Sequence, residues 1–171
     1  MAPFHFELDW WIRRIAQGDR DALEKLYQAT RPAVYAYALS LTKDPHCAED
    51  VLQDCYITIW NSAGGYQPQG KAMAWIMTIT RNLCYKRLQQ QKRYLPLECD
   101  DYLGRSDADP DERLLVRQCL KALTEEEQQI VILHAVAGCR HQEIAQMLGL
   151  KTGTVLSKYH RAIQKLRDAL Q

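Results

Sequence analysis

Residues 143–166 read EIAQMLGLKTGTVLSKYHRAIQKL, and the fold of the second half of the chain can be inferred from them. Apolar residues recur at helical spacing on both sides of Gly149, a residue type that commonly ends helices in the left-handed conformation. The two apolar faces consist of Ile144, Ala145 and Leu148, and of Val155, Tyr159, Ile163 and Leu166. The pattern predicts two helices joined by a tight turn, as in a helix-turn-helix.

A polar and basic surface surrounds the predicted turn. The second helix carries hydroxyl, amine and guanidinium groups, and no acidic residue precedes Asp168. Such groups bind the phosphates and base edges of duplex DNA. The residues predicted to contact duplex DNA are Arg140, Lys151, Thr152, Thr154, Ser157, Lys158, Arg161 and Lys165. An ordinary helical hairpin with a solvated basic face is the alternative interpretation of this segment.

The net charge of +1 conceals a strong segregation of charge along the 171 residues. Residues 71–94 carry a charge of +6, residues 95–112 a charge of −6, and residues 150–171 a charge of +4. Two basic blocks within amphipathic helices predict two surfaces that bind polyanions, separated by an acidic linker that binds neither. Solvation of the helix faces is the alternative explanation of any single charge run.

The composition is that of a globular protein, with 47% hydrophobic and 25% charged residues. No apolar run reaches the roughly 18 residues needed to span a bilayer. The N-terminus lacks the basic and then apolar order of a secretion signal. We therefore expect a cytoplasmic protein.

The sequence offers little support for metal or enzymatic chemistry. Six cysteines occur without a Cys-x-x-Cys pair, and in a reducing cytosol they are expected to be small core residues. His134, Cys139 and His141 are close in sequence, but their spacing matches no common zinc site. No nucleophile–base–carboxylate set or glycine-rich phosphate loop is recognisable. We predict no metal, no cofactor and no enzymatic activity.

Helical periodicity extends over nearly the whole chain, without a convincing alternating strand. Helix starts are predicted at Asp19, at Asp44 followed by Pro45, and at Thr124 with Glu127 as a capping box. Besides the helix-turn-helix, the predicted helices cover about residues 6–17, 19–43, 45–62, 71–92, 111–122 and 124–138.

The domain organisation follows from these helices. Residues 95–110 are acidic, contain Gly104 and Pro110, and lack an apolar stripe, which predicts a linker. We expect an all-α fold of two small four-helix domains, residues 1–94 and 111–171, joined by this acidic linker.

The predicted fourth helix reads KAMAWIMTITRNLCYKRLQQQKR over residues 71–93. Its buried stripe is predicted to consist of Trp75, Ile76, Ile79, Leu83 and Leu88. Aromatic rings, bases and an amide on its other face suit single-stranded nucleic acid, because rings stack on bases and cations follow phosphates. The candidate residues are Lys71, Trp75, Thr78, Arg81, Asn82, Tyr85 and Lys86. The preceding glycine-rich loop could shape a pocket for one unstacked base. A core role is the alternative for Trp75 and Tyr85.

Four stretches together resemble a bacterial sigma factor of the extracytoplasmic-function (ECF) group in the sigma-70 family. They are DALEKLYQATRPAVYAYALSLTKD (21–44), CAEDVLQDCYITIW (47–60), AWIMTITRNLCYKRL (74–88) and the stretch from LTEEEQQIV to AIQKLR (123–167). They span nearly the whole chain in the family's order. The resemblance implies that the first domain is sigma region 2 and the second is the helix-turn-helix domain, sigma region 4.

The resemblance also implies partners and roles. The third helix would dock on the clamp helices of the RNA polymerase β′ subunit through Asp50, Gln53, Asp54, Ile57 and Trp60, and the second domain would meet the β flap. The fourth helix, with Asn82 at the family's Asn position, would melt and read the −10 promoter element. The helix after Thr152 would read the −35 element. Members are often held inactive by an anti-sigma factor, so such a protein is implied as a further partner.

Two departures from the family's pattern concern the helix-turn-helix. Arg140 and Lys151 stand where Ser or a similar cap is common, so Thr152 is left to cap the second helix. Lys158 stands where Arg is frequent and lacks its bidentate fork. These changes leave the class intact and bear on which promoter sequences are read.

Two rival functions remain open at this stage. A dimeric helix-turn-helix regulator would bind palindromic duplex DNA without polymerase, but this reading leaves the patterns of the third and fourth helices unexplained. A hydrolase that depends on cysteine and histidine would lose activity on Cys or His substitution.

Overall fold

The computed structural model describes residues 3–94 and 121–169, and all regular structure in these ranges is helical. The helices are α1 (Pro3–Ile15), α2 (Arg20–Thr42), α3 (Pro45–Ser62), α4 (Ala72–Tyr94), α5 (Glu125–Val131), α6 (His141–Leu148) and α7 (Thr152–Ala169). The predicted all-α fold is confirmed. The predicted linker and most of the predicted helix 111–122 lie outside the described residues.

The helix starts are capped at the predicted positions. The Asp19 carboxylate accepts hydrogen bonds from the backbone N–H groups of Asp21 and Ala22 at 3.0 and 3.1 Å, and Asp44 accepts one from His46 at 3.1 Å. Thr124 and Glu127 form the reciprocal capping box at the start of α5. These contacts satisfy amide groups that a helix leaves unpaired at its first turn.

Helices α1 to α4 pack around one apolar core that contains Leu8, Leu26, Ile59 and Ile76. Buried polar side chains are paired across this core. The Thr30 and Tyr56 hydroxyls lie 2.7 Å apart between α2 and α3. On the surface of the same bundle, Arg87 of α4 bridges two acidic residues of α3.

The buried line of α4 differs from the predicted stripe. Ala72, Met73, Ile76, Met77, Thr80 and Cys84 are buried, whereas Trp75, Ile79, Leu83 and Leu88 are only partly covered. The prediction was correct for Ile76, but the centre of the buried face lies to one side of the predicted stripe, so that Trp75, Ile79 and Leu83 pack at its edge. The Thr80 hydroxyl can face inward because it donates to the Ile76 carbonyl at 2.9 Å and lies 3.4 Å from the Cys55 sulfur.

Helices α5 to α7 form a second, smaller unit around Ile130, Leu133, Ile144 and Val155, all fully buried. The turn of the helix-turn-helix is the predicted one, because Gly149 caps α6 at φ 68°.

One π-helical turn, Ile132–Val136, follows α5 and was not predicted. The Ala137 N–H bonds to the Ile132 carbonyl, and Gly138 then turns the chain at φ 72°. This turn directs the chain from α5 into α6.

The two units pack directly against each other. Buried apolar residues of α2, of α5 and of the π-helical turn after α5 belong to one continuous cluster. Tyr37 of α2 is fully buried there, and its hydroxyl donates to Gln129 Oε1 at 3.3 Å. Lys43 Nζ donates to Gln128 Oε1 at 3.0 Å. The structure therefore holds the two units in a closed arrangement.

None of the helices in the described ranges is both long enough and apolar enough to cross a bilayer.

The first turn of α5 is tied to α7 by an ion pair between a buried glutamate and a partly exposed lysine. Glu127 accepts from Lys165 Nζ at 2.8 and 3.0 Å and from the Thr124 N–H at 2.9 Å. Burial raises the pKa of this carboxyl, but the bonds from Lys165 and Thr124 lower it further, so the net pKa lies below its ordinary value.

We expect Glu127→Gln to lower the free energy of unfolding of the α5–α7 unit by about 1–2 kcal/mol. The matched control is Glu126→Gln, which removes the more exposed pair with Lys158 and should cost about 0–1 kcal/mol. Because the folded pKa of Glu127 is depressed, its contribution is present above the unfolded pKa and is lost as pH falls through the folded pKa. Urea unfolding at pH 7 and at pH 3 measures this, and equal losses at both pH values would contradict it.

Candidate nucleic-acid interface

The outward face of α4 collects most of the predicted single-strand residues. Lys71, just before the helix, and Thr78, Asn82, Tyr85 and Lys86 are exposed and follow one another at helical spacing. Trp75 and Arg81 flank this line and are partly buried. The predicted set therefore lies along one face, which is long enough to contact several nucleotides.

Trp75 stands against Tyr66 from the glycine-rich loop. Their ring centroids are 4.7 Å apart at an interplanar angle of 43°. Trp75 is therefore neither a core residue nor freely exposed. The pair presents an aromatic surface of the kind on which an unstacked base can lie.

A second aromatic contact lies two turns further along α4. The guanidinium carbon of Arg81 lies 4.7 Å from the centroid of the Tyr85 ring. This cation–π contact holds a positive charge beside the exposed ring. Arg81 Nε is buried and has no hydrogen-bond partner within the described residues.

A cleft of about 470 Å³ opens beside this face. One wall comes from the glycine-rich loop and α4, through Tyr66, Lys71, Trp75 and Thr78 among others. The opposite wall comes from α6 of the other unit, through Glu143, Gln146 and Met147. The closed arrangement therefore covers part of the predicted −10 surface.

The predicted polymerase-docking residues lie on the outer side of α3. Asp50, Gln53 and Ile57 are exposed, and Asp54 and Trp60 are partly buried. Arg87 contacts Asp50 at 2.9 Å and Asp54 at 2.6 Å. Sequence reasoning missed Arg87, since nothing in the local pattern shows that it reaches α3. Ile57 keeps 59% of its surface exposed, an unusual position for a large apolar residue in this acidic region.

The outward face of α7 overlaps the predicted −35 set only in part. Thr152, Ser157 and Arg161 are exposed, as are the unpredicted residues Gly153, Leu156, His160 and Gln164. Steps of four residues from Thr152 lead to Leu156, His160 and Gln164, and Gly153 lies next to Thr152, so helical spacing could have identified this face.

The other predicted α7 residues lie at the edge toward α5. Thr154, Lys158 and Lys165 are only partly exposed, and the two lysines pair with Glu126 and Glu127. Their charges are thus partly neutralised within the protein.

The start of α6 is stabilised without a capping side chain from Arg140. The Glu143 carboxylate accepts from the Arg140 N–H at 2.8 Å. Arg140 and Lys151 are both exposed, so their side chains remain available to phosphates. The prediction that Thr152 caps the second helix was wrong, because α7 begins at Thr152 and its first backbone bonds, from Thr154 and Val155, go to the Lys151 carbonyl.

Two histidines meet behind the helix-turn-helix. The His134 and His141 rings are 4.1 Å apart, and both contact Tyr159. His134 Nδ1 lies 2.9 Å from the Cys139 carbonyl oxygen. Burial, together with the nearby His134 and His160, lowers the pKa of His141. In the described ranges, no group of three or more His, Cys, Asp or Glu side chains is arranged to hold a metal ion.

Comparison with known protein families gives a match to each of the two units. The model of sigma-70 region 2 matches residues 26–94, and the model of sigma-70 region 4 matches residues 113–166. The chain is 29% identical to the ECF RNA polymerase sigma factor SigK of Mycolicibacterium vanbaalenii, with 96% of this chain and 89% of the relative covered. SigK of Mycobacterium ulcerans is also 29% identical and is covered over 94% of its length.

The fold is similar to two solved structures. One is CnrH in complex with the cytosolic domain of CnrY, with a TM-score of 0.69, 22% identity, and coverage of 96% of this chain and 97% of that one. The other is the sigma factor RpoE of Bartonella quintana in complex with the anti-sigma factor NepR, with a TM-score of 0.69, 24% identity, and coverage of 86% and 95%. With regions 2 and 4 both matched in order, the chain belongs to the sigma-70 family and, as an ECF sigma factor, directs RNA polymerase to promoters in transcription initiation.

Proposed function

We propose that the α4 face reads the −10 element as single-stranded DNA and that the α7 face reads the −35 element as duplex. In this assignment residues 1–94 form region 2, residues 95–110 the linker and residues 111–171 region 4. The observation that carries the proposal is the presence of two separate polar faces in one chain. The α4 face has aromatic rings and an amide for unpaired bases, and the α7 face has hydroxyls and Arg161 for a major groove.

The chemistry of this proposal is binding alone. Each base contact contributes roughly 1–3 kcal/mol, and base stacking on a ring a similar amount. Capture of unpaired bases on α4 therefore offsets the cost of opening the duplex. Docking on polymerase fixes the distance between the two units, so that two weak DNA contacts act together through effective concentration.

The exposed residues of α7 are the strongest candidates for base reading. Arg161 and Ser157 lie on the solvent face, and Leu156, 42% exposed, can contact a thymine methyl group. Lys158 and Lys165 lie at the edge of this face, where they would follow phosphates after leaving their glutamates. Arg140 and Lys151 complete the phosphate-binding rim.

The α3 surface is proposed to dock on the β′ clamp helices. An apolar residue surrounded by acidic side chains suits a partner helix that carries bases around an apolar centre. Arg87 then has a supporting role, because it holds Asp50 and Asp54 in place.

Ile57→Asp is expected to weaken binding to core RNA polymerase at least about tenfold, the effect of losing one interface hot spot. Binding of labelled protein to purified core enzyme measures it. Phe6→Asp is the matched control, because Phe6 is also an exposed apolar residue, at 69%, but lies on α1. Equal losses for both variants would remove α3 as the docking helix.

The proposed function is tested by transcription of a fragmented genomic library with core polymerase, with and without the protein. Start sites that depend on the protein and share two upstream motifs are expected. Absence of dependent starts, together with duplex binding by the protein alone, would favour the dimeric regulator.

We also propose an anti-sigma factor as an inhibitory partner and the cytoplasm as the site of action. The support is the resemblance to ECF sigma factors, one of which was solved with the anti-sigma factor NepR. Such a partner would be expected to bind across both units and to favour their closed arrangement.

A further inference from the structure

Asp9 of α1 is a buried carboxylate, 7% exposed, that no sequence pattern singled out. Its Oδ1 accepts a hydrogen bond from the Tyr66 hydroxyl at 2.5 Å. Its Oδ2 accepts one from the Gly70 N–H at 2.7 Å. Both carboxylate oxygens are therefore used, and both partners lie in the same loop.

The two bonds fix the ends of the loop 66–70. Tyr66 is its first residue, and Gly70, at φ 66°, is its last. A buried carboxylate is costly unless it is hydrogen-bonded, and a bond to a charged acceptor is among the stronger ones in proteins. Asp9 therefore clamps a segment that is 57 to 61 residues away in the chain.

The clamped loop leads straight into the α4 face. Tyr66 stacks against Trp75, and Gly70 immediately precedes Lys71. Tyr66, Lys71, Trp75 and Thr78 all line the cleft beside α4. Burial, and then the bond to Asp9, raises the pKa of Tyr66, so its hydroxyl stays protonated and continues to donate.

We propose that Asp9 is a positioning residue for the capture of one unpaired promoter base between the 66–70 loop and α4. It acts through Tyr66 and Gly70 and does not touch DNA. By holding the Tyr66–Trp75 pair and the entry to Lys71, it shapes the pocket before the base arrives. This inference rests on the proposed −10 role of α4.

The test uses holoenzyme and short single strands that carry the non-template −10 sequence found by the transcription experiment. Each strand of a series has one base replaced by an abasic site. Wild-type holoenzyme is expected to lose affinity about tenfold at the pocket position, within the range of one stacked base. With Asp9→Ala, the intact strand should bind about tenfold more weakly, and the abasic penalty should vanish at that position alone.

Three variants keep this test interpretable. Asp9→Asn should restore most of the affinity, because its amide can still accept from Gly70 and can donate to a rotated Tyr66 hydroxyl. Ile12→Val, a buried change one turn along α1, controls for general loss of stability. Tyr66→Phe removes one of the two bonds and replaces Asp9→Ala as the test variant if Asp9→Ala does not fold. It should lower the loss of affinity that the abasic site causes at the same position.

Two outcomes would overturn parts of this scheme in distinguishable ways. An unchanged abasic penalty in Asp9→Ala at every position would reduce Asp9 to a structural residue and leave the −10 role of α4 intact. Wild-type holoenzyme that shows no penalty at any position would remove the −10 assignment itself.

Discussion

A covalent bridge between Gln69 and Gln146 is expected to lower promoter-directed transcription at least about tenfold, because it removes the joint action of the two DNA contacts. Both residues are exposed and line the same cleft, one from each unit. Promoter elements centred at −10 and −35 are separated by about 25 base pairs, or roughly 85 Å of B-form DNA. Two units that share a cleft cannot reach both elements, so the closed arrangement must open.

The bridge can be made selectively, because the described native thiols resist alkylation. Cys55, Cys84 and Cys139 are buried, and burial raises their pKa values to about 11, 12 and 12. The thiolate is the reactive form, so these residues are nearly inert at neutral pH. Burial also raises the pKa of Cys47. Cys99 and Cys119 lie outside the described residues and are replaced by Ser.

The experiment compares Gln69→Cys/Gln146→Cys before and after treatment with a short bismaleimide that contains a cleavable disulfide. Reductive cleavage should restore transcription. Each single-cysteine variant, treated in the same way, controls for modification of the cleft wall. A bridged protein with full activity would mean that the closed arrangement is compatible with promoter recognition, and the proposed division between α4 and α7 would then fail.

The helix ends show what local sequence could predict. Asp19, Asp44 and Thr124 cap the helices that they were expected to start, because a capping side chain bonds to amides only two or three residues away. Gly149 likewise adopts the left-handed turn inferred from its place after an apolar face. Information of this kind lies within one turn of the residue concerned.

It was harder to predict which side chains lie on the outward and buried faces of α7 and α4, because this depends on partners that are distant in sequence. Lys158 and Lys165 looked like members of a DNA-reading face, but the acidic first turn of α5 draws both to its side. Thr80 faces the core because the Cys55 sulfur and a backbone carbonyl satisfy it. The two glutamates and Cys55 are at least 25 positions away in the sequence, so helical periodicity could not reveal these contacts.

The packing of the two units against each other could not be predicted at all. The contact of Tyr37 with Gln129 joins residues 92 positions apart. Because such a contact leaves no local signal, the sequence indicated two DNA-reading surfaces but not that α6 partly covers the α4 surface.

Asn82→Ala is expected to lower promoter opening about tenfold or more while binding of core polymerase changes little. Asn82 is exposed at the centre of the α4 line, where its amide can pair with a base edge, a contact of roughly 1–3 kcal/mol. It lies away from the α3 docking surface, so the two activities should separate. Permanganate reactivity of unpaired thymines measures opening, and binding of labelled protein to core enzyme measures docking.

Gln91→Ala, an exposed amide on the opposite side of α4, is the matched control and should alter neither. Equal loss of opening and docking in Asn82→Ala would show that this residue supports the fold of region 2, and the α4 face would then need another reader of the −10 element.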